Sequence, residues 1–212
     1  MAVVLKRRMT RPERRALIIE AAERAFRGRD PSSVTFEDVA DEADISRSLV
    51  YSYFRDRTEL LEAVRERSEA LLRAEVTEAL TTTRGKHEAL AAAVRAHVRF
   101  ARRDRTAYHY ATGEMPDRTR SATEERLVAG LSQLFGGTRE ASLVGLGIVH
   151  ALRAMTAEHV TTSSDEDADG RAVELITAFL GDGLAGLDAI GIQLRPTWPA
   201  PVVDDETEAA SI

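Results

Sequence analysis

The stretch Thr35 to Arg57, TFEDVADEADISRSLVYSYFRDR, decides the fold. Thr35 with Asp38 three residues later is a capping-box pattern for a helix start. Phe36, Val39, Ala40 and Ala43 follow at i, i+3, i+4 and i+7, one apolar helix face. Ala43-Asp44-Ile45 supplies a turn. Ser46 then caps a second helix with Arg47, Ser48 and Tyr51 on one side and Val50 and Phe54 on another. Two helices joined by a short turn, the second displaying small polar, basic and aromatic groups, form a helix-turn-helix. Two merely packed helices account for the apolar positions only. They do not account for Arg47, Ser48, Tyr51 and Tyr53 crowding into one short helix, as a helix that reads the major groove requires.

Extended outward, the run ISRSLVYSYFRDRTELL resembles the tetracycline-repressor (TetR) family of bacterial transcription regulators. The family pattern is a Thr-capped helix, a turn, a Ser-capped recognition helix ending Tyr-x-x-Phe, then a basic residue opening a long helix. The close match covers about residues 12–62; the remainder agrees only as an all-helical chain of suitable length. Asp44 replaces the usual turn Gly, and Asp tolerates a left-handed backbone better than most residues. Leu49 stands where a small hydroxyl residue is usual, which puts one phosphate contact in doubt. The resemblance implies an all-α protein, an N-terminal three-helix helix-turn-helix head on a larger helical ligand-binding and dimerisation domain. It also implies backbone contacts from Thr35, Tyr51, Tyr53 and Arg57. Arg47 is the only long donor on the recognition helix and suits guanine, Leu49 can meet a thymine methyl, and Ser46 and Ser48 serve as cap and DNA contacts.

The net charge of −6 argues against nucleic acid, but its distribution reverses that. Residues 1–15 hold six basic groups against Glu13 alone. Residues 1–60 hold 12 basic and 11 acidic groups, leaving 17 and 24 for the rest. A basic end on an acidic body suits a protein that meets DNA at that end. With 212 residues and no cysteine, the chain has ample core and neither disulfides nor thiolate metal sites. No signal core follows Met1, and the apolar stretch at 141–152 is too short to span a bilayer, so a cytoplasmic protein without membrane contact is expected.

Thr10-Arg11-Pro12-Glu13 opens a first helix whose stripe is Leu17, Ile18, Ala21, Ala22, Ala25 and Phe26. Asp56 opens a long helix towards Thr81–Thr83, the mechanical link from head to body. Helices follow at about 86–102 and 121–135, separated by a short aromatic-rich segment at 104–112 and a break at 113–117. Residues 141–157 and 171–190 are apolar nearly all round and flank a polar loop at 161–170, so both helices need burial on more than one side. Paired across a two-fold axis they make a four-helix interface, with Leu143, Gly147, Ala151, Phe179, Leu180, Leu184 and Leu187 expected in it. The domains are then residues 1–56 (head with basic arm), 57–192 (effector-binding and dimerisation) and 193–212 (acidic tail containing prolines).

No catalytic or phosphate-binding motif is present, and the five histidines lack metal-ligand spacing, so neither an enzyme nor a cofactor or metal is expected. In proteins this chain resembles, a small molecule binds among the central helices and moves the heads. Phe100, Tyr108, Tyr110, Met115, Phe135, His150 and Met155 are the groups available for such a pocket, although each taken singly is equally an ordinary core residue. The reading is a homodimeric repressor released from a palindromic operator by a small-molecule effector. Its rivals are a helical enzyme or carrier with a vestigial head, and a regulator controlled by a partner protein or by no effector.

Overall fold

The computed structural model describes residues 9–30, 33–113, 122–134, 137–165 and 167–189. Among them are nine helices and no strand: α1 (Arg11–Phe26), α2 (Phe36–Glu42), α3 (Arg47–Tyr51), α4 (Arg57–Leu80), α5 (Lys86–Arg103), α6 (Arg105–Thr112), α7 (Ala122–Leu134), α8 (Arg139–Thr162) and α9 (Asp167–Ala189). None is long and apolar enough to cross a membrane. The basic arm before Met9 and the tail after Ala189 lie outside the described residues.

Side-chain caps set the helix starts. Thr10 and Glu13 exchange backbone and side-chain hydrogen bonds, as do Thr35 and Asp38. Ser46, Asp56, Asp104 and Thr138 each accept an N–H of the first turn of α3, α4, α6 and α8. Each cap satisfies a donor that the helix itself leaves open. The turn between α2 and α3 closes with Ile45 N–H donating to Ala40 O at 3.0 Å and Asp44 N–H to Asp41 O at 3.2 Å. Asp44 sits at φ +52°, the left-handed cap residue of this bonding pattern.

Helices α1 to α3 enclose one core, with Ile18, Phe26, Val39, Val50 and Phe54 almost wholly buried. That core does not end at residue 56. Leu60, Ala63 and Val64 of α4 belong to it, and so does Tyr110 of α6. Further along α4, Leu72 joins Phe100, Ala101, Tyr108 and Val160 in a body cluster. A third cluster unites Val94 and Val98 of α5 with Leu152 of α8 and Ile176 and Leu180 of α9. Helix α4 therefore has one foot in each domain. Three ion pairs tie α1 and its C-cap to the body: Arg67 reaches Glu20 and Glu23, and Arg27 reaches Asp104, the cap of α6, at 2.7 Å.

Two expectations need correction. Helix α9 starts at Asp167 rather than 171, because Asp165 accepts the Asp167 N–H and Asp169 is held by Arg102 and His159. Asp167 and Asp169 also place negative charge at the positive end of the helix. Leu180 is not free for a second chain; it is 5% exposed within the α5–α8–α9 cluster. Ala151 is half-buried against the same cluster. The side chains of Leu184 and Leu187 lie outside what is described. Helices α8 and α9 do each keep an open face: Leu143 is 64% exposed, Phe179 59%, and Leu175, one turn before Phe179, 60%. Gly147 is exposed on the same side of α8 as Leu143. Close packing through glycine occurs at Gly145, where an added Cβ would lie 3.1 Å from Leu131 Cβ, so α7 and α8 approach through it.

Candidate nucleic-acid interface and the body interior

Helix α3 is short, and only Val50 of it is buried. Ser46, Arg47, Ser48 and Tyr51 are exposed, Leu49 and Tyr53 half-exposed. The buried residues around α3 (Val39, Val50, Phe54) fix its roll, which determines which side chains face outward. Ser46 Oγ accepts from Leu49 N–H and lies 3.0 Å from Ser48 Oγ. Arg47 donates through one terminal nitrogen to the Tyr51 hydroxyl at 3.2 Å, and its guanidinium lies 5.5 Å from the Tyr51 ring centroid. The Tyr51 ring in turn meets Phe36 edge-on, with centroids 4.8 Å apart. The Tyr51 hydroxyl and the Glu37 carboxylate beside it hold the Arg47 pKa above its ordinary value.

The residues expected to touch backbone phosphate divide into two groups. Tyr51 and Tyr53 are at the surface, and Arg11 lies over the Tyr53 ring at 5.2 Å. Thr35 is exposed but committed: its hydroxyl donates to Asp38 at 2.6 Å and accepts the Asp38 N–H at 3.2 Å. The Thr35 hydroxyl and the Thr35 backbone N–H, both donating to the Asp38 carboxyl, push it with Arg29 far below its usual range. Arg57 is half-buried, close enough to Tyr110 for its charge to oppose the raising of that phenol by burial. The outward cation at the start of α4 is Arg55, 84% exposed and paired with Asp56. Arg55 lies inside the matched run, two residues before Arg57, but the family pattern assigns the basic contact to the residue that opens α4 and so does not single it out.

The seven groups expected around one effector pocket are not gathered at one place. Tyr110 packs on Phe26 in the head core, with ring centroids 5.6 Å apart. Phe100 and Tyr108 lie in the α4–α5–α6 cluster, and Met155 packs on the α5–α8–α9 cluster. His150 is exposed; Met115 and Phe135 lie outside the described residues. An open groove of about 650 Å³ runs between α4 and α5, walled by Glu75, Glu78, Thr83, Arg95, Arg99 and Arg103, and none of the seven lines it.

What the body interior does hold is a polar spot that includes one of the seven. His97 Nδ1 and the Tyr108 hydroxyl are 3.0 Å apart, and their rings meet edge-on. Burial, then the Arg153 charge, pulls the His97 imidazole down to about 3, so it is neutral at pH 7. Burial raises the Tyr108 phenol, while fully buried Thr156 beside it pulls the other way. The neutral His97 and Tyr108 can exchange hydrogen bonds with a polar atom on an incoming ligand, with the Arg153 charge close by. Among the described residues no group of three or more His, Cys, Asp or Glu side chains could hold a metal ion.

Residues 18–64 match the family described as bacterial regulatory proteins, tetR family. The HTH-type transcriptional activator FasR of Mycolicibacterium smegmatis is 34% identical over 101 residues, 48% of this chain and 46% of that protein. The HTH-type transcriptional regulator TtgR of Pseudomonas putida is 44% identical over 52 residues, 24% of this chain and 25% of that protein. The matches thus span less than half the length of these curated relatives. Among solved structures, a TetR-like transcriptional regulator from Rhodococcus sp. RHA1 superposes with a TM-score of 0.67 at 20% identity, covering 84% of this chain and 100% of that one. The fatty acid degradation regulator FadR from Bacillus halodurans gives 0.67 at 15% identity, covering 82% and 96%. At these identities the structural likeness is one of fold.

Proposed function

We propose, from the premise that this chain belongs to the TetR family and is a DNA-binding transcriptional regulator, that it acts as a homodimeric repressor released from its operator by a small molecule. The observation that carries the DNA-reading part is the state of α3: capped, rolled by its buried residues, and presenting the Arg47 guanidinium to solvent on a Tyr51 support. Arg47 reads guanine; Ser48 and Leu49 face neighbouring bases or phosphate; Tyr51, Tyr53 and Arg55 add backbone contacts. Arg57, half-buried beside Tyr110, serves the joint between head and body in place of phosphate. Repression is the simpler mode, since occupying promoter DNA suffices for it. A protein with this task works in the cytoplasm.

The open faces of α8 and α9 support the dimer. Leu143, Leu175 and Phe179, each more than half exposed in the single chain, are large apolar groups that a two-fold partner would cover. The effector is an apolar or amphipathic molecule that reaches the His97–Tyr108–Thr156 spot. From there α6 and α4 carry the change, because Tyr110 and the first half of α4 are seated in the head core. The ligand acts only through unequal affinity for the two arrangements of the heads. Binding of duplex DNA from upstream of the protein's own gene tests the proposal. Two chains bind per palindromic site, with half-sites about one helical turn apart, and affinity falls steeply with salt. A single chain per site, or no binding to duplex DNA, contradicts it.

A further inference from the structure

Glu37 stands in the first turn of α2, where its charge complements the helix N-terminus, yet it makes no cap and no close ion pair. Asp38 completes the Thr35 cap, Glu42 pairs with Arg24, and Asp56 caps α4. The Glu37 side chain is 70% exposed, and its Oε2 lies 3.8 Å from Arg47 Nη1. An exposed ion pair at that distance contributes little to stability. A carboxylate beside the groove-reading guanidinium also repels the phosphates on either side of the groove. We propose that Glu37 and Arg47 act together as one reading unit for a single G·C base pair, Arg47 donating to guanine and Glu37 accepting from cytosine. The proposal rests on α3 reading the major groove.

The chemistry of the pair matches that edge. A G·C pair presents in the major groove two acceptors, guanine N7 and O6, followed by one donor, the cytosine N4 amino group. Arg47 and Glu37 offer donors followed by an acceptor in the same order. The Tyr51 hydroxyl occupies one donor of Arg47. Each terminal nitrogen carries two N–H groups, so a two-pronged donor face stays available. An A·T pair places the adenine N6 donor where the second Arg47 donor needs an acceptor, and a thymine O4 acceptor towards the carboxylate. Glu37 therefore adds a penalty for the wrong pair to the preference that Arg47 supplies for the right one. With Tyr51 fixed on Phe36 and Arg47 on Tyr51, the guanidinium meets the base from a set direction.

The test is selection of duplex sites from a random library by the full-length protein and by its Glu37→Gln, Glu37→Ala and Arg47→Ala variants. Glu37 is on the surface, so circular dichroism should show each of its variants folded like the wild type. The expected result is a wild-type site with one position held to G·C. Glu37→Ala should relax that position, bind the wild-type site about tenfold more weakly and bind random DNA more tightly; Glu37→Gln keeps an acceptor for N4 but adds a donor that thymine O4 can take, so it should admit A·T at that position with a smaller loss on the wild-type site. N4-methylcytosine at that position should weaken the wild type about tenfold and leave the Glu37→Ala variant unaffected, since alanine accepts nothing from N4. If the Glu37→Ala variant selects the wild-type site unchanged, or gains equally on every sequence, Glu37 only repels phosphate and the inference is overturned. If the wild type enriches no site, DNA reading by α3 itself fails, an outcome distinct from either of those.

Discussion

Tyr110 offers a perturbation in which two substitutions at one residue separate two physical roles. Its ring is 7% exposed and packs on Phe26 across the junction of α6 with the head, while its hydroxyl is buried without a hydrogen bond among the described residues. Tyr110→Phe keeps the ring and removes a polar group that gains nothing from burial. Stability should stay the same or rise by up to about 1 kcal/mol. Tyr110→Ala removes the ring. Aromatic-to-alanine changes in cores cost about 3–5 kcal/mol, and the lower end applies here because a site at a junction can partly collapse. The head should then melt apart from the body. In urea, followed by far-ultraviolet circular dichroism at fixed protein concentration, Tyr110→Phe should give one transition. Tyr110→Ala should give an earlier, broadened or split one. Equal midpoints and slopes for the two variants would refute the claim that this ring joins head to body.

Three further outcomes follow from the same structure. Asp44→Val forces a β-branched residue into φ +52° and should cost about 1–2 kcal/mol, measured as a lower urea midpoint; no loss would mean that the turn takes another form. His97 is depressed to about 3 in the folded chain against 6.5 unfolded, so the unfolded state takes up the proton first and stability falls as pH drops below about 6.5. The wild type should lose about 1 kcal/mol between pH 6.5 and 5.5, and His97→Gln should lack that loss in urea titrations at the two pH values. Phe179→Glu puts a charge on the open face of α9 and should leave a folded monomer by sedimentation, because two carboxylates would be trapped without partners at a two-fold contact; a persisting dimer would place the interface elsewhere.

The head was legible because each of its signals is local. The Thr35 and Asp38 box, the Asp44 turn and the Ser46 cap each act over a separation of five residues or fewer, and the core residues recur at helical spacing, so spacing alone carries the structure. The body was legible only as helices. Its apolar stripes do not say which face meets which neighbour, so Leu180, internal, and Phe179, exposed, looked alike. Helix α9 starts four residues before the apolar pattern does, because Asp169 is held by Arg102 and His159, distant partners that no local pattern reveals. The expected effector groups scattered for the same reason: aromatic residues announce burial but not the core they enter. Tyr110, close in sequence to Tyr108, lies in a different core.

The central claim is that α3 reads sequence through Arg47, and one comparison tests it most directly. Wild type and Arg47→Ala are titrated by fluorescence anisotropy against the selected operator and against random duplex DNA, each across a range of salt concentrations. Loss of a two-pronged guanine contact predicts a fall of roughly ten- to a hundredfold on the operator and little change on random DNA, with the salt slopes barely altered. Equal losses on both duplexes, with the slope reduced by about 1, would make Arg47 a phosphate contact and contradict the account.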